Sequence, residues 1–211
     1  MYGAINMSET EKTTLAAIHQ SAMKEFTAKG FRAASLRNIV KQAGVTTGAF
    51  YGYYKSKEAL FDALVGPHYE AFLGKFREAQ VSFANLPPQE QLASVGKISG
   101  ACMDWMADYA YDHLAVFQLI LCGAEGTRYA HLLDEMIAIE TQATHAFAEV
   151  MERQGKPAYH IDAQLEHMLI SGMFSTYFEL FIHNVPRQKA AEYIRQFRAF
   201  YTAGWQQIMG F

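Results

Sequence analysis

Apolar residues recur at three- and four-residue intervals along nearly the whole chain, whereas the strict alternation of a half-buried strand is rare and proline is scarce. The pattern predicts an all-α protein of about nine helices and no strand. The first helix runs from about Ser8 or Thr10 to Lys29, with Leu15, Ile18, Ala22 and Phe26 on one face and Gly30 as its stop. A second opens at Ser35 and turns Leu36, Ile39, Val40 and Ala43 inward. Gly44 can take the left-handed backbone of a sharp turn, and Thr46 is a good N-cap for a third helix. A fourth begins at Ser56 and continues through Leu60, Phe61, Leu64, Phe72 and Phe76 toward Asn85. Pro67 lies inside it and has no amide for the Ala63 carbonyl, so a kink is expected there. After Leu86-Pro87-Pro88, further helices are expected at about 88–111, 113–122, 127–154, 160–184 and 186–209.

This order divides the chain into an N-terminal module over residues 8–55, a connecting helix over 56–85 and a larger C-terminal domain over 86–211. The second and third helices with their glycine turn have the order of a helix-turn-helix. At about 100° per residue, Ala49, Phe50 and Tyr54 fall toward one side of the third helix and Thr47, Gly48, Tyr51 and Lys55 toward the other. The second set suits a DNA groove. Gly48 permits close approach, Thr47 can meet a base edge or a thymine methyl, and the Tyr51 hydroxyl can reach a phosphate or base. Lys55 and Lys57 flank them as phosphate clamps, and the helix starts near Ser35 and near Ser56-Lys57 offer backbone amides to anions.

From Ser35 to Phe61 the chain resembles the DNA-binding signature of TetR-family transcriptional repressors, a likeness that covers about the first sixty residues. The features that carry it are Ser35 at the start of the second helix and Gly44-Val45 at the turn. They continue with the aromatic run Phe50-Tyr51-Gly52-Tyr53-Tyr54 and Lys57-Glu58-Ala59-Leu60 opening the next helix. The resemblance implies DNA contacts at Ser35, Thr46, Thr47, Gly48, Tyr51, Tyr53 and Lys57. It further implies an all-helical, ligand-sensing and dimerising C-terminal domain, double-stranded operator DNA as partner, and release of a repressor from its operator by a small-molecule effector. Two departures stand out: Gly52 where His, Asn or Tyr is common, and Asn38 where Asp is common.

Charge sharpens the division. Residues 1–60 hold eight Lys or Arg against four acids, a balance of +4, and the remainder carries ten against seventeen, a balance of −7. A basic module on an acidic body suits a polyanion bound at one end. No run approaches the length of a membrane span and the N-terminus lacks signal-peptide character, so a cytoplasmic protein without a membrane partner is expected. Cys102 and Cys122, too few for a disulfide framework, read as buried small hydrophobes.

The C-terminal part is less explicit. Its Met168-to-Phe181 segment is apolar around nearly its whole circumference, and Tyr193, Ile194, Phe197, Phe200, Tyr201 and Trp205 follow at compatible spacing. Pairing of helices 160–184 and 186–209 with their copies would make a homodimer, whose two reading helices reach successive major grooves. Met103, Met106, Tyr109, Phe117, Met136, Phe174 and Tyr177 are candidates for an effector cavity, and Asp104, Asp108, Glu140 and Glu179 could orient a cation but read better as solvated surface. The eight histidines show no metal-ligand spacing, and no nucleophile or phosphate-loop motif occurs, so no cofactor, metal or catalytic residue is expected. A helical enzyme, or a ligand-binding protein that does not bind DNA, is the alternative on the same scaffold.

Overall fold

A computed structural model describes residues 9–156 and 160–210. Helix α1 spans Glu9–Ala33, but Gly30 breaks its helical geometry at φ 69° and ψ 168°, so the stop expected there is present and one further turn follows it. Ser8, the other proposed start, lies outside the described residues. Ser35 caps α2 (Leu36–Gln42), its hydroxyl accepting from the Asn38 amide, and Thr46 caps α3 (Thr47–Tyr53) by accepting from Ala49. Between them Gly44 takes φ 67°, the conformation that the turn requires.

Helix α4 (Lys57–Ala84) runs through Pro67 as one continuous element. It is followed by α5 (Pro88–Ser94), α6 (Lys97–Asp112), α7 (Leu114–Gly123), a short 3-10 turn at Arg128–His131, α8 (Leu132–Arg153), α9 (Ala163–Ile182) and α10 (Arg187–Met209). The described residues are all-α, with ten helices and no strand. The extra helix arises because the stretch expected as 88–111 is interrupted at Gly96, φ 77°. Here a side chain would meet Thr202 of α10 at 3.2 Å, so glycine serves both the turn and a close approach.

The chain groups into two units: one reaches from the N-terminus to Tyr69 and includes Gln118–Ala130, and the other comprises Glu70–Phe117 and His131–Phe211. Residues of α4 therefore contribute to both. In the first unit Ile18, Phe26, Ile39, Phe50, Leu60 and Phe61 are completely or almost completely buried. The Phe61 ring meets Phe26 and Phe31 edge-on, each at 5.0 Å between centroids. Gly30 also lies against the Gly123 backbone, and a side chain there would come within 3.4 Å of its carbonyl.

In the second unit α8 packs along α9, while α10 lies against α6 and α9. Phe72 meets Phe117 at 4.7 Å, and Phe76 meets Phe174 at 5.5 Å. The Tyr111 hydroxyl donates to the Val185 carbonyl at 2.8 Å, tying α6 to the turn before α10. Of the two cysteines only Cys102 is buried. Cys122 is exposed, because the last turns of α7 direct Leu119 and Ile120 inward instead.

A helix-turn-helix face and an aromatic cavity

The helix-turn-helix is built outward from one ring. Phe50 is fully buried, and its neighbour Tyr51, whose ring meets that of Phe50 edge-on at 5.5 Å, is 53% exposed. Tyr54 is half-buried; its ring lies 6.1 Å from that of Phe50, and its hydroxyl is hydrogen-bonded to Nε2 of His19. Burial lowers the pKa of His19 and raises that of Tyr54, so a neutral imidazole faces a protonated phenol. Thr46, Thr47, Gly48, Gly52 and Lys55 are all exposed. Ala49 is exposed too, contrary to its expected inward phase: as third residue of a seven-residue helix it belongs to the first turn, whose amides Thr46 caps.

The other predicted contacts have structural work. Ser35 is half-buried; its amide donates to Glu25 Oε1 at 3.0 Å while its hydroxyl caps α2. Tyr53 is half-buried, and its hydroxyl donates to the Glu11 carbonyl at 3.4 Å. The Lys57 ammonium is turned to the protein's own backbone. It donates to the carbonyls of Phe31 at 2.8 Å and Ala34 at 3.1 Å, reaches that of Arg32 at 3.4 Å, and lies 4.5 Å above the Phe31 ring. It thus closes the end of α1.

Both departures from the family pattern have local readings. A side chain at position 52 would meet nothing within 4 Å, so packing does not require glycine there. Asn38 donates its amide to Glu25 Oε1 at 3.3 Å, alongside Lys29 and the Ser35 amide. Glu25 is only 4% exposed, and an Asp at position 38 would set a second carboxylate against it. The hydrogen bonds from Lys29 and Ser35, in that order, lower the Glu25 pKa. Arg37 and Lys41, two of the eight basic residues among the first sixty, are exposed on α2, Arg37 in its first turn and Lys41 in its last.

A cavity of about 170 Å³ opens in the second unit, among α4, α6, α8, α9 and α10. Met103 and Phe174 line it, as do Phe76, Phe147 and Trp205. The other five candidates do not. Met106, Phe117, Met136 and Tyr177 are buried core, and Tyr109 stacks on Trp105 at 4.9 Å. Tyr177 spends its hydroxyl on the Met103 carbonyl at 2.7 Å. Helical spacing shows that such residues point inward, but not whether a neighbouring helix fills the space they face.

The four acids also separate. Asp104 pairs with Arg198 at 2.8 Å, Asp108 with Arg187 at 2.6 Å, and Glu179 with His183 at 2.6 Å, all near the surface. Glu140 instead lines the cavity and accepts from the Gln80 amide at 2.6 Å. Desolvation pushes its carboxyl up to about 7 against the opposing effect of that hydrogen bond. Among the described residues no group of three or more His, Cys, Asp or Glu is placed to hold a metal ion, and no helix is long and apolar enough to cross a membrane.

Residues 18–64 match the family model for bacterial regulatory proteins of the tetR family. The HTH-type transcriptional regulator UidR of Escherichia coli (strain K12) is 34% identical over 73 residues, 35% of this chain and 37% of that protein. The HTH-type transcriptional repressor KstR2 of Rhodococcus jostii (strain RHA1) is 33% identical over 57 residues, 27% of this chain and 28% of that protein. The matches thus span well under half the length of these curated relatives. Among solved structures, a TetR transcriptional regulator family member from Streptomyces coelicolor A3 aligns with TM-score 0.57 at 14% identity, covering 92% of this chain and 89% of that one. A bacterial regulatory protein in the tetR family from Rhodococcus RHA1 aligns with TM-score 0.53 at 20% identity, covering 92% and 97%. At these identities the likeness is one of fold.

Proposed function

We propose, from a helix-turn-helix segment that belongs to the tetR family of bacterial regulatory proteins, that this chain is a ligand-responsive DNA-binding transcriptional regulator. It represses while bound to its operator and is released by a small molecule. The observation that carries this reading is the face of α3. Thr47, Gly48 and Tyr51 stand exposed on a helix anchored by a fully buried Phe50, and Arg37 and Lys41 on α2 and Lys55 after α3 are exposed as well. Thr47 and Tyr51 supply contacts to base edges and phosphates, Gly48 lets the backbone approach, and the cations release condensed counterions. Thr46 and Ser35 act chiefly by capping and Tyr53 by bracing α3 against α1. The Lys57 side chain acts by holding α1, not by meeting phosphate.

The working form is a homodimer, since a palindromic operator presents half-sites one helical turn apart. Its interface lies on α9 and α10, where Met168 is 62% and Phe200 73% exposed, with Leu165, Tyr193 and Ile208 also uncovered. The cavity receives the effector, which favours one of two states that differ in DNA affinity. The test is selection of bound genomic fragments, followed by fluorescence anisotropy on the recovered sequence at several salt concentrations. Specific, salt-dependent binding that Tyr51→Ala weakens is the expected result. Binding without sequence preference, or untouched by Tyr51→Ala, overturns it.

A further inference from the structure

We propose that the cavity takes a lipophilic organic cation, its charged nitrogen paired with the Glu140 carboxylate and its apolar body set among the rings of Phe76, Phe147 and Phe174. This deepens the reading of the cavity as an effector site and rests on it for its regulatory consequence. Charge inside this apolar space is unbalanced. Two ionisable side chains of opposite sign reach the cavity, and only one is already neutralised. Arg198 is paired with Asp104 at 2.8 Å and reaches the Gly100 carbonyl at 3.3 Å. Glu140 has the Gln80 amide at 2.6 Å, and no cation of the described residues pairs with it.

A half-buried carboxylate facing an apolar cavity with one neutral donor is costly to keep ionised, and desolvation lifts its pKa to about 7. A ligand cation removes that cost, while a neutral ligand leaves it and an anionic one adds to it. The rest of the lining suits such a ligand. Aromatic faces attract cations, and Met103 and Met173 adapt to an irregular apolar body. The other ionisable groups around Glu140 do not supply the missing charge. On α4, Lys75 is paired with Glu78 at 3.1 Å and lies 5.9 Å from the Trp105 ring. On α6 the Cys102 thiol is pushed up to about 11 by desolvation and stays neutral. On α10 the lining holds Arg198 and the Tyr201 phenol.

The experiment uses three probes with one body: phenylbutylamine, phenylbutanol and phenylbutyrate, titrated calorimetrically into the full chain without DNA at pH 8. The expected order is amine, alcohol, carboxylate, with the amine at least about tenfold tighter than the alcohol. Glu140→Gln, which keeps the shape and the bond to Gln80, should bring the amine down to the alcohol while leaving the alcohol unchanged. Lowering the pH from 8 to about 5.5 should weaken the amine in the native chain and not in the variant, because only the native chain titrates there. Tightest binding of phenylbutyrate would make Arg198 the anchor and overturn the proposal. So would an amine affinity that Glu140→Gln does not change, or no amine binding at millimolar concentration. The DNA titration is a separate readout: specific DNA binding with no preference for the amine defeats this inference alone, and an amine preference without DNA binding defeats the regulator reading alone.

Discussion

Replacing Glu140 with Gln removes a half-buried, desolvated ionisation, so its effect on folding must depend on pH. Desolvation pushes the carboxyl up to about 7 in the folded chain from an ordinary value of 4.5. At 1.36 kcal/mol per unit, the ionised form destabilises the fold by up to about 3 kcal/mol, less to the extent that water enters the cavity. The folded pKa is raised, so the folded state binds the extra proton. The stability linked to that proton is fully present below about pH 4.5 and is lost as the pH rises through about 7. Glu140→Gln carries no such loss. Urea denaturation followed by tryptophan fluorescence suits the measurement, because Trp105 and Trp205 both belong to the second unit and report on it directly. The native chain and the variant should be of similar stability near pH 4.5, and the variant should lead by about 2–3 kcal/mol at pH 8. A difference that stays constant between these pH values, or a variant less stable at pH 8, would refute the claim that this carboxyl is desolvated without a cation.

Other outcomes follow from the reading element. Tyr51→Ala should change thermal stability by less than about 0.5 kcal/mol, because the side chain is largely exposed, while weakening specific DNA binding by about 1–3 kcal/mol in anisotropy titrations. Lys55→Ala should lower the salt slope of DNA binding by about one with little change in melting temperature. Lys57→Met should instead destabilise the first unit by about 1–3 kcal/mol, since it strips the α1 carbonyls of their donor. If both lysine variants act alike, the separation of their roles is wrong. Gly52→Ala should stabilise by about 0.5–1 kcal/mol through helix propensity, read as a rise in melting temperature, because the added methyl meets nothing.

Local chemistry was legible wherever neighbours in sequence are the partners. Ser35, Gly44 and Thr46 act within a few residues of themselves, and each has the capping or turn geometry expected of it. The alternation of a buried Phe50 with an exposed Tyr51 follows from helix phase alone. The break at Gly96 was less visible, since an isolated glycine in a helical pattern is tolerated unless something forces the turn. Here the close approach of Thr202, more than a hundred positions away, favours it.

What the sequence by itself determined is the class of the protein, all-α, and the register of the helix-turn-helix, because caps, turns and periodicity are local and cost their full energy wherever they are violated. Tertiary structure alone decided what each inward-pointing or charged group meets. It set Lys57 against the end of α1, left Ala49 in solvent, made Tyr177 core and placed Glu140 in a cavity with Gln80 sixty residues away. A residue type and its phase fix a direction. Whether that direction ends in a carbonyl, a packed ring or an empty space depends on helices brought together from distant parts of the chain.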